Sequence, residues 1–338
     1  MKKIILIIGI SIVLIVIGFF YFKNDKVLSP LGVGKVFEDK KLLQYTYLAL
    51  QKTNFPGSEI KIGKLIKDND TFISYLFYYQ VGEKKVSGLM NVPKKSGNYP
   101  VIVMIRGYAD EKTYQSGVGT SHGGELMAQN DFITLAPDFL GYGESDKGSS
   151  DPLEDRFLTY ETVLQLFSSI KNLNAALENK SLEARYDGTH IGVWGHSNGG
   201  QIALSVLETS GYDYPTVLWA PVSKPFPYSI LYYTDEADDH GKSLIKLVAD
   251  FESKYDAEKY SLTNYFDWIK APLQIHQGVI DEEVPVRWSD ELVLTLKDKD
   301  KEVEYFTYPS ENHNFNDQEG WGLAMSRTMA FYKKLMKK

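Results

Sequence analysis

Six apolar runs of strand length recur along the chain, and stretches with helical spacing separate most of them. Continuous apolar runs are typical of strands that are buried on both faces of a sheet. Strands that alternate with helices predict a mainly parallel sheet with helices on both faces. The runs cover residues 99–107, 131–138, 189–197, 215–221, 271–278 and 302–309, and the helical stretches cover 123–130, 154–177, 199–208, 286–296 and 318–336.

Three further runs, at 58–66, 71–80 and 85–92, precede this alternation and are rich in β-branched and aromatic residues. Polar turns separate them, so the pattern predicts an antiparallel meander at the start of the sheet. The simplest organisation is one α/β domain over residues 57–338. Within it, residues 222–269 contain many aromatic side chains and no strand pattern. We expect a helical cap insertion there, which packs on itself, forms a wall of a binding site, or does both.

The chain opens with two lysines and an uncharged apolar run from Ile4 to Phe22. A helix of this length spans about 28 Å, close to the thickness of the hydrocarbon layer of a membrane. Its aromatic end is typical of a membrane interface. We predict a transmembrane anchor over residues 4–22, a juxtamembrane segment over 23–56 and a domain outside the cell membrane. A cleaved signal peptide and a secreted protein are the alternative.

The overall charge and the missing cysteines exclude several classes of function. A formal net charge of −7 argues against nucleic-acid binding, which requires a basic face. The absence of cysteine excludes disulfides, thiolate metal sites and a cysteine nucleophile. No cluster of histidine and acidic residues has the spacing of metal ligands, so we expect neither a metal nor another cofactor.

The stretch VWGHSNGGQIAL, residues 193–204, lies where an apolar run ends and helical spacing begins. It contains Ser197 in a G-x-S-x-G pattern, whose glycines permit the tight strand-to-helix turn that exposes a nucleophilic serine. In an open parallel sheet, ligands bind beyond the carboxyl ends of the strands. Both observations favour Ser197 as a nucleophile over an ordinary turn residue.

A serine hydroxyl needs a base that accepts its proton, and His313 is the best placed of six histidines. It follows the last strand run, so we expect its loop at the same sheet edge as Ser197. His196 is disfavoured because neighbouring side chains at a strand end point to opposite faces. The others lie in loops or strands, and they are His122, His190, His240 and His276.

An acid is needed to orient the imidazole, and Asp281 lies three residues beyond Gly278, where another strand run ends. Glu282 and Glu283 are chemical alternatives in the same acidic turn. The chain order Ser197, Asp281, His313 is that of α/β-hydrolases.

The oxyanion of such a reaction needs hydrogen-bond donors. One would be the backbone N–H of Asn198, at the start of the helix. The second would come from Tyr108, through its main-chain N–H or its hydroxyl, in the loop after the run 99–107. Arg106 in the same loop is a candidate substrate anchor, but pairing with a carboxylate such as that of Asp138 is the favoured interpretation.

Five segments together resemble the catalytic domain of the prolyl oligopeptidase family of serine peptidases, over about residues 85–335. The resemblance implies an α/β-hydrolase fold, a Ser197–Asp281–His313 triad, and a Tyr108 that helps to bind the oxyanion. The usual histidine before the glycine of the oxyanion loop is Arg106 here. Only about 60 residues lie between the predicted anchor and residue 85, too few for the β-propeller of that family. The segments are GHSNGG, HQGVIDEEVP, YPSENHNF, APDFLGYGES and VSGLMNVPKKSGNYPVIVMIRGYAD.

The sequence thus predicts a serine hydrolase that cleaves a peptide or ester bond in a short peptide or small molecule. A peptidase is the leading interpretation, and a carboxylesterase of small or glycan-linked acyl groups is the alternative. A non-catalytic, membrane-tethered binding module is the second alternative, since a fold alone does not prove activity. The acidic loop DEADDH at 235–240 would hold a substrate amine in a peptidase, but a solvated turn is the favoured interpretation of its charges.

Overall fold

A computed structural model describes residues 41–236 and 238–336 of the chain. The predicted membrane anchor, residues 4–22, lies outside the described residues. Across the described ranges, no helix is both long enough and apolar enough to cross a membrane. The division of the chain into anchor, juxtamembrane segment and domain therefore stays a prediction.

Within the described ranges, nine strands form one sheet in the order β1-β2-β3-β5-β4-β6-β7-β8-β9. The first three strands pair antiparallel, β3 also pairs antiparallel with β5, and the remaining neighbours are parallel. The predicted mainly parallel sheet with an antiparallel start is confirmed. The strands are β1 (Lys61–Asp68), β2 (Phe72–Val81), β3 (Lys84–Pro93), β4 (Gly97–Ile105), β5 (Ile133–Pro137), β6 (Ala184–His196), β7 (Thr216–Trp219), β8 (Leu273–Gly278) and β9 (Val303–Tyr308).

Helices follow most of the parallel strands, as the alternation predicts. One predicted helix, 154–177, is divided into two by a 3₁₀ turn at Ile170–Asn172. The helices are α1 (Tyr47–Lys52), α2 (Ser121–Gln129), α3 (Pro152–Ser169), α4 (Leu173–Asn179), α5 (Asn198–Ser210), α6 (Tyr228–Leu231), α7 (Lys242–Glu252), α8 (Val286–Asp298) and α9 (Gln318–Leu335).

The sheet separates two apolar cores, and strand β4 contributes to both. Val101, Val103 and Ile105 belong to the core that contains side chains of α3 and α5, whereas Ile102 and Met104 belong to the core that contains side chains of α2 and α9. Successive side chains of a strand point to opposite faces, so a continuous apolar run is what a strand covered on both sides requires.

The segment 222–269 contains α6, α7 and short 3₁₀ turns, and its aromatic side chains pack on helix α3. Phe157 of α3 contacts Phe226, Phe251 and Tyr260, with ring centroids 5.0 to 6.2 Å apart. Residues of this segment also line the cavity beside Ser197. Within the segment, Phe251 also packs on Phe226 and Tyr260, so the segment both packs on itself and forms part of the wall of this cavity.

Candidate active site

Ser197 lies in the sharp turn between strand β6 and helix α5. Its backbone has φ 56° and ψ −122°, a conformation that residues other than glycine rarely adopt. Its N–H donates to Trp219 O at 2.9 Å, and its carbonyl accepts from the N–H groups of Gly200 and Val222. Strain of this kind persists only where the surroundings hold it in place, and it concentrates at functional sites.

The glycines of the G-x-S-x-G pattern are required by close approach of the backbone. A Cβ at Gly199 would lie 2.0 Å from Ile105 O, and one at Gly195 would lie 2.7 Å from Gly199 O. The end of strand β4 thus presses directly against the first turn of helix α5. This contact brings the loop after β4 to Ser197.

His313 and Asp281 meet at the same edge of the sheet, in the loops that follow β9 and β8. His313 Nδ1 is 2.9 Å from Asp281 Oδ2, and the two side chains are 6% and 0% exposed. The other oxygen of Asp281 accepts from the main-chain N–H groups of Glu283 and Val284 at 2.9 and 2.8 Å. The carboxylate is therefore fixed, and a carboxylate held in this way favours an imidazole that carries its proton on Nδ1.

Gln277, in strand β8, was not singled out by the sequence. Its Nε2 donates to Asp281 Oδ2 at 2.9 Å and to Val284 O at 3.1 Å, and its Oε1 accepts from the hydroxyl of Ser289 at 2.7 Å. Gln277 is fully buried. It therefore adds a further donor to Asp281 and connects the loop after β8 to helix α8.

The sequence disfavoured His196 as the base. In the structure its side chain binds the main chain of the loop that carries His313. Its Nε2 lies 2.9 Å from His313 O, and the two imidazole centroids are 4.7 Å apart. Burial, with the nearby His313 as a second cause, lowers the pKa of His196 to about 4. His196 is therefore neutral near pH 7 and donates its Nε2–H to the main chain of the residue that carries the candidate base.

The second nitrogen of the His313 ring faces Glu283. His313 Nε2 is 3.5 Å from Glu283 Oε2, and the Glu283 side chain is 58% exposed. Ser197 Oγ makes no hydrogen bond to any residue that the structure describes. The structure thus joins His313 to Asp281 through one nitrogen and leaves the other beside Glu283. Hydrogen bonds between a nucleophile and its base are often formed only when substrate is bound.

The loop after β4 passes close to Ser197. A Cβ at Gly107 would lie 3.0 Å from Ser197 Cβ and 3.5 Å from its Oγ. Tyr108 is 85% exposed and, like Asn198, lines the same cavity as Ser197. Asn198 is the first residue of helix α5, where the backbone N–H groups have no partner within the helix.

Arg106 supports this loop and does not project into the cavity beside Ser197. Its guanidinium donates to Gly107 O and to Asp138 O, each at 2.9 Å. It also stacks on the rings of Tyr114 and Tyr142, at 4.6 and 4.1 Å. The sequence favoured an ion pair between Arg106 and the Asp138 carboxylate. In the structure, Arg106 instead donates to the main-chain oxygen of Asp138. The carboxylate itself accepts from the hydroxyls of Ser87, Ser116 and Tyr114.

A cavity of about 410 Å³ opens beside Ser197. The segment 222–269 supplies its apolar wall through Ile230 and Tyr233, and Glu283 and Arg156 are its charged residues. A volume of this size accommodates a small organic group rather than a folded protein. Among the residues described, no group of three or more His, Cys, Asp or Glu could hold a metal ion.

Comparison with known proteins identifies the family. Residues 167–338, just over half of the chain, match the profile of the prolyl oligopeptidase family, and residues 100–215 match the alpha/beta hydrolase fold. The uncharacterized peptidase YtmA of Bacillus subtilis (strain 168) is 27% identical over 255 residues, which cover 72% of this chain and 88% of that protein.

Solved structures with low sequence identity share the fold. A puromycin-hydrolyzing peptidase of Mycobacterium tuberculosis has a TM-score of 0.57 at 16% identity. The match covers 79% of this chain but only 40% of the peptidase chain. An acetyl xylan esterase of Paenibacillus sp. R4 has a TM-score of 0.60 at 16% identity, and the match covers 87% of this chain and 94% of the esterase chain. The chain has the α/β-hydrolase fold, is a serine hydrolase and belongs to the prolyl oligopeptidase family.

Proposed function

We propose that this hydrolase cleaves the acyl bond of a small substrate through a covalent intermediate on Ser197, with His313 as base and Asp281 as its partner. The observation that supports this most strongly is the buried 2.9 Å contact between His313 Nδ1 and Asp281 Oδ2, at the sheet edge where Ser197 occupies its strained turn. A carboxylate at Nδ1 stabilises the imidazolium that forms when the other nitrogen takes up a proton.

In the proposed first step, Ser197 Oγ attacks the scissile carbonyl carbon while its proton passes to His313 Nε2. The negative charge that develops on the carbonyl oxygen is bound by the N–H of Asn198 and by the N–H of Tyr108. Donors of this kind contribute about 2.7–4 kcal/mol each to transition-state stabilisation. The intermediate collapses as His313 protonates the leaving group, and the acyl group stays on Ser197.

In the second step, a water molecule attacks the acyl-enzyme and gives its proton to the same imidazole. The bond between the acyl carbon and Ser197 Oγ breaks, and the hydroxyl regains its proton from His313. A nucleophile with an adjacent base is the arrangement that this two-step chemistry requires. For His313 Nε2 to serve both steps, its contact with Glu283 at 3.5 Å must give way to Ser197 and to water.

Among acyl bonds, we propose a peptide or amide bond of a short peptide as the preferred substrate, because the family match and the relative YtmA are both to peptidases. The cavity beside Ser197 favours small substrates by its volume of about 410 Å³. An ester is the second candidate. It is supported by the similarity to the acetyl xylan esterase, which this chain covers over 94% of its length.

The triad is tested by covalent labelling together with a substrate panel. We expect a fluorophosphonate probe to label the wild-type protein and not Ser197→Ala. We also expect Asp281→Asn to lower kcat/KM by about a thousandfold or more, because it removes the charge that holds the tautomer of His313. The exposed neighbour Glu282→Gln is the control and stays within about twofold. Labelling that persists in Ser197→Ala excludes Ser197 as nucleophile.

The substrate class is tested by comparing aminoacyl arylamides with aryl esters of short acyl groups. A peptidase hydrolyses both, since the ester has the better leaving group, whereas an esterase hydrolyses the ester alone. Hydrolysis of peptide bonds in a defined peptide library then supports the first candidate. Activity that is confined to esters supports the second.

A further inference from the structure

Arg156 is the cation that faces the candidate active site. It lies in helix α3 and lines the cavity beside Ser197 as well as a smaller neighbouring cavity of about 170 Å³. Asn198 and Tyr108, the candidate oxyanion donors, line the same two cavities. Arg156 therefore borders both the cavity beside Ser197 and the smaller one.

The guanidinium of Arg156 makes few hydrogen bonds to the residues that the structure describes. Its Nη2 donates to Gln201 Oε1 at 2.8 Å, and its Nε is buried without a hydrogen-bond partner. No carboxylate of the described residues forms an ion pair with it. The buried Nε is out of a ligand's reach, but a partly buried cation that is bound only by a neutral amide retains unused donors on its terminal nitrogens, and a planar carboxylate is the group that best satisfies them.

The two acidic residues that border these cavities have other contacts. Glu283 Oε2 lies beside His313 Nε2, and Asp155 Oδ1 accepts from the main-chain N–H of Ser149 at 2.8 Å. Arg106, the other arginine near the site, donates to two main-chain oxygens and stacks on aromatic rings. Arg156 differs from Arg106 because its charge is left available to a ligand.

The position of Arg156 also indicates which part of a substrate it meets. A base that protonates the leaving group must lie on the leaving-group side, and His313 follows strand β9. The smaller cavity contains no residue from the loops that carry Asp281 and His313. Because the acyl group extends away from the leaving group, we place the acyl part of the substrate toward this smaller cavity, which Arg156 borders.

We propose that Arg156 binds a carboxylate carried by the acyl part of the substrate, so that this enzyme prefers acyl groups with a negative charge away from the scissile bond. This inference rests on the proposed hydrolysis at Ser197 and names the substrate class for that site. In a peptidase, the acyl part would be an acidic residue or an N-dicarboxyacyl group. In an esterase, the substrate would be the monoester of a dicarboxylic acid.

Matched esters test this preference. One series consists of 4-nitrophenyl monoesters of adipate and suberate, each with a free carboxylate, and the other of the same compounds with that carboxylate capped as a methyl ester. We expect Arg156→Gln to lower kcat/KM for the free carboxylates by about tenfold to a hundredfold more than for the capped esters. Rates without enzyme are subtracted.

Two variants and one inhibitor complete the design. Arg287→Gln removes the same charge from an exposed position of helix α8 and should change neither series. Arg156→Lys keeps the charge and should lose less activity than Arg156→Gln with the free carboxylates. Adipate should inhibit wild-type hydrolysis of 4-nitrophenyl acetate competitively, whereas hexane-1,6-diol, which has the same chain length and neither a carboxylate nor an ester, should not, and this comparison needs no variant.

The outcomes separate this inference from the proposed function. An equal loss for free and capped esters assigns Arg156 a structural role and overturns the inference, as does the absence of inhibition by adipate. If no ester or amide is hydrolysed and the fluorophosphonate does not label Ser197, the proposed function fails instead. Adipate binding to Ser197→Ala, measured by calorimetry and weakened by Arg156→Gln, would then support the anion site alone.

Discussion

His196 supports the site without facing the cavity beside Ser197. It is next to Ser197 in the chain, its ring contacts that of His313, and its Nε2 binds the main-chain oxygen of that residue. Because burial lowers its pKa to about 4, the ring stays neutral over the range in which a histidine base operates. The turn that carries Ser197 and the loop that carries His313 are therefore joined by a hydrogen bond that persists at neutral pH.

The lowered pKa of His196 predicts a loss of stability in acid. The unfolded chain binds a proton near the ordinary value of 6.5, whereas folded His196 binds it only near pH 4. The free energy of unfolding therefore falls as the pH drops from 6.5 to 4, by at most about 1.4 kcal/mol per pH unit. His196→Gln keeps an N–H donor and does not titrate, so we expect it to lose less stability in this window. Urea unfolding at a series of pH values measures the difference, and equal pH slopes would contradict it.

The candidate residues were predictable from their positions at strand ends, while their partners were not. Ser197, Asp281 and His313 each follow an apolar run, and parallel strands bring their ends to one edge. Gln277 and Arg156 carry no such signal. A glutamine inside a strand and an arginine in an amphipathic helix are ordinary residues, and only the folded chain brings them to Asp281 and to the cavity.

At the level of elements, the turn from β6 into α5 depends on the absence of a side chain at residue 199. A Cβ there would meet the main-chain oxygens of Ile105 and Arg106 at 2.0 and 2.5 Å, and backbone atoms at the end of a central strand have little room to shift. The same contact aligns the loop after β4 with Ser197.

We therefore expect Gly199→Ala to lower the melting temperature and to abolish fluorophosphonate labelling, because the clash displaces α5 from β4. Gly322→Ala is the matched control. It lies in helix α9, where an added Cβ would meet nothing within 4 Å, so it should stabilise the protein by about 0.5–1 kcal/mol. Thermal unfolding and labelling of both variants test this, and a Gly199→Ala protein with wild-type labelling would refute it.

The strands and their mainly parallel pairing with an antiparallel start were predicted from the sequence, but their order in the sheet and some of their limits were not. Strand β6 begins at Ala184, five residues before the predicted run at 189, because residues 184–186 pair with Gly97–Tyr99 of β4 through an irregular register. Ala184 and Tyr186 are buried, but the half-buried Arg185 between them interrupts any continuous apolar run. Pairing with a neighbour, not composition, makes them a strand.

At the level of the whole molecule, the anchor over residues 4–22 is a separate prediction. We expect the full chain, expressed in a bacterial host, to sediment with membranes and to resist carbonate extraction, because an uncharged apolar helix of about 28 Å matches the membrane interior. A chain that starts at residue 23 should remain in the supernatant with the same hydrolase activity. A shortened protein in the medium would indicate signal cleavage instead.

The candidate catalytic residues and the apolar wall of the cavity come from different stretches of the chain. Ser197, Asp281 and His313 follow strands β6, β8 and β9, whereas Ser229, Ile230 and Tyr233 lie in the segment 222–269 between β7 and β8. Evolution can therefore replace that one contiguous stretch, by insertion or recombination, and change the compounds that fit the cavity, while the three candidate residues stay in place.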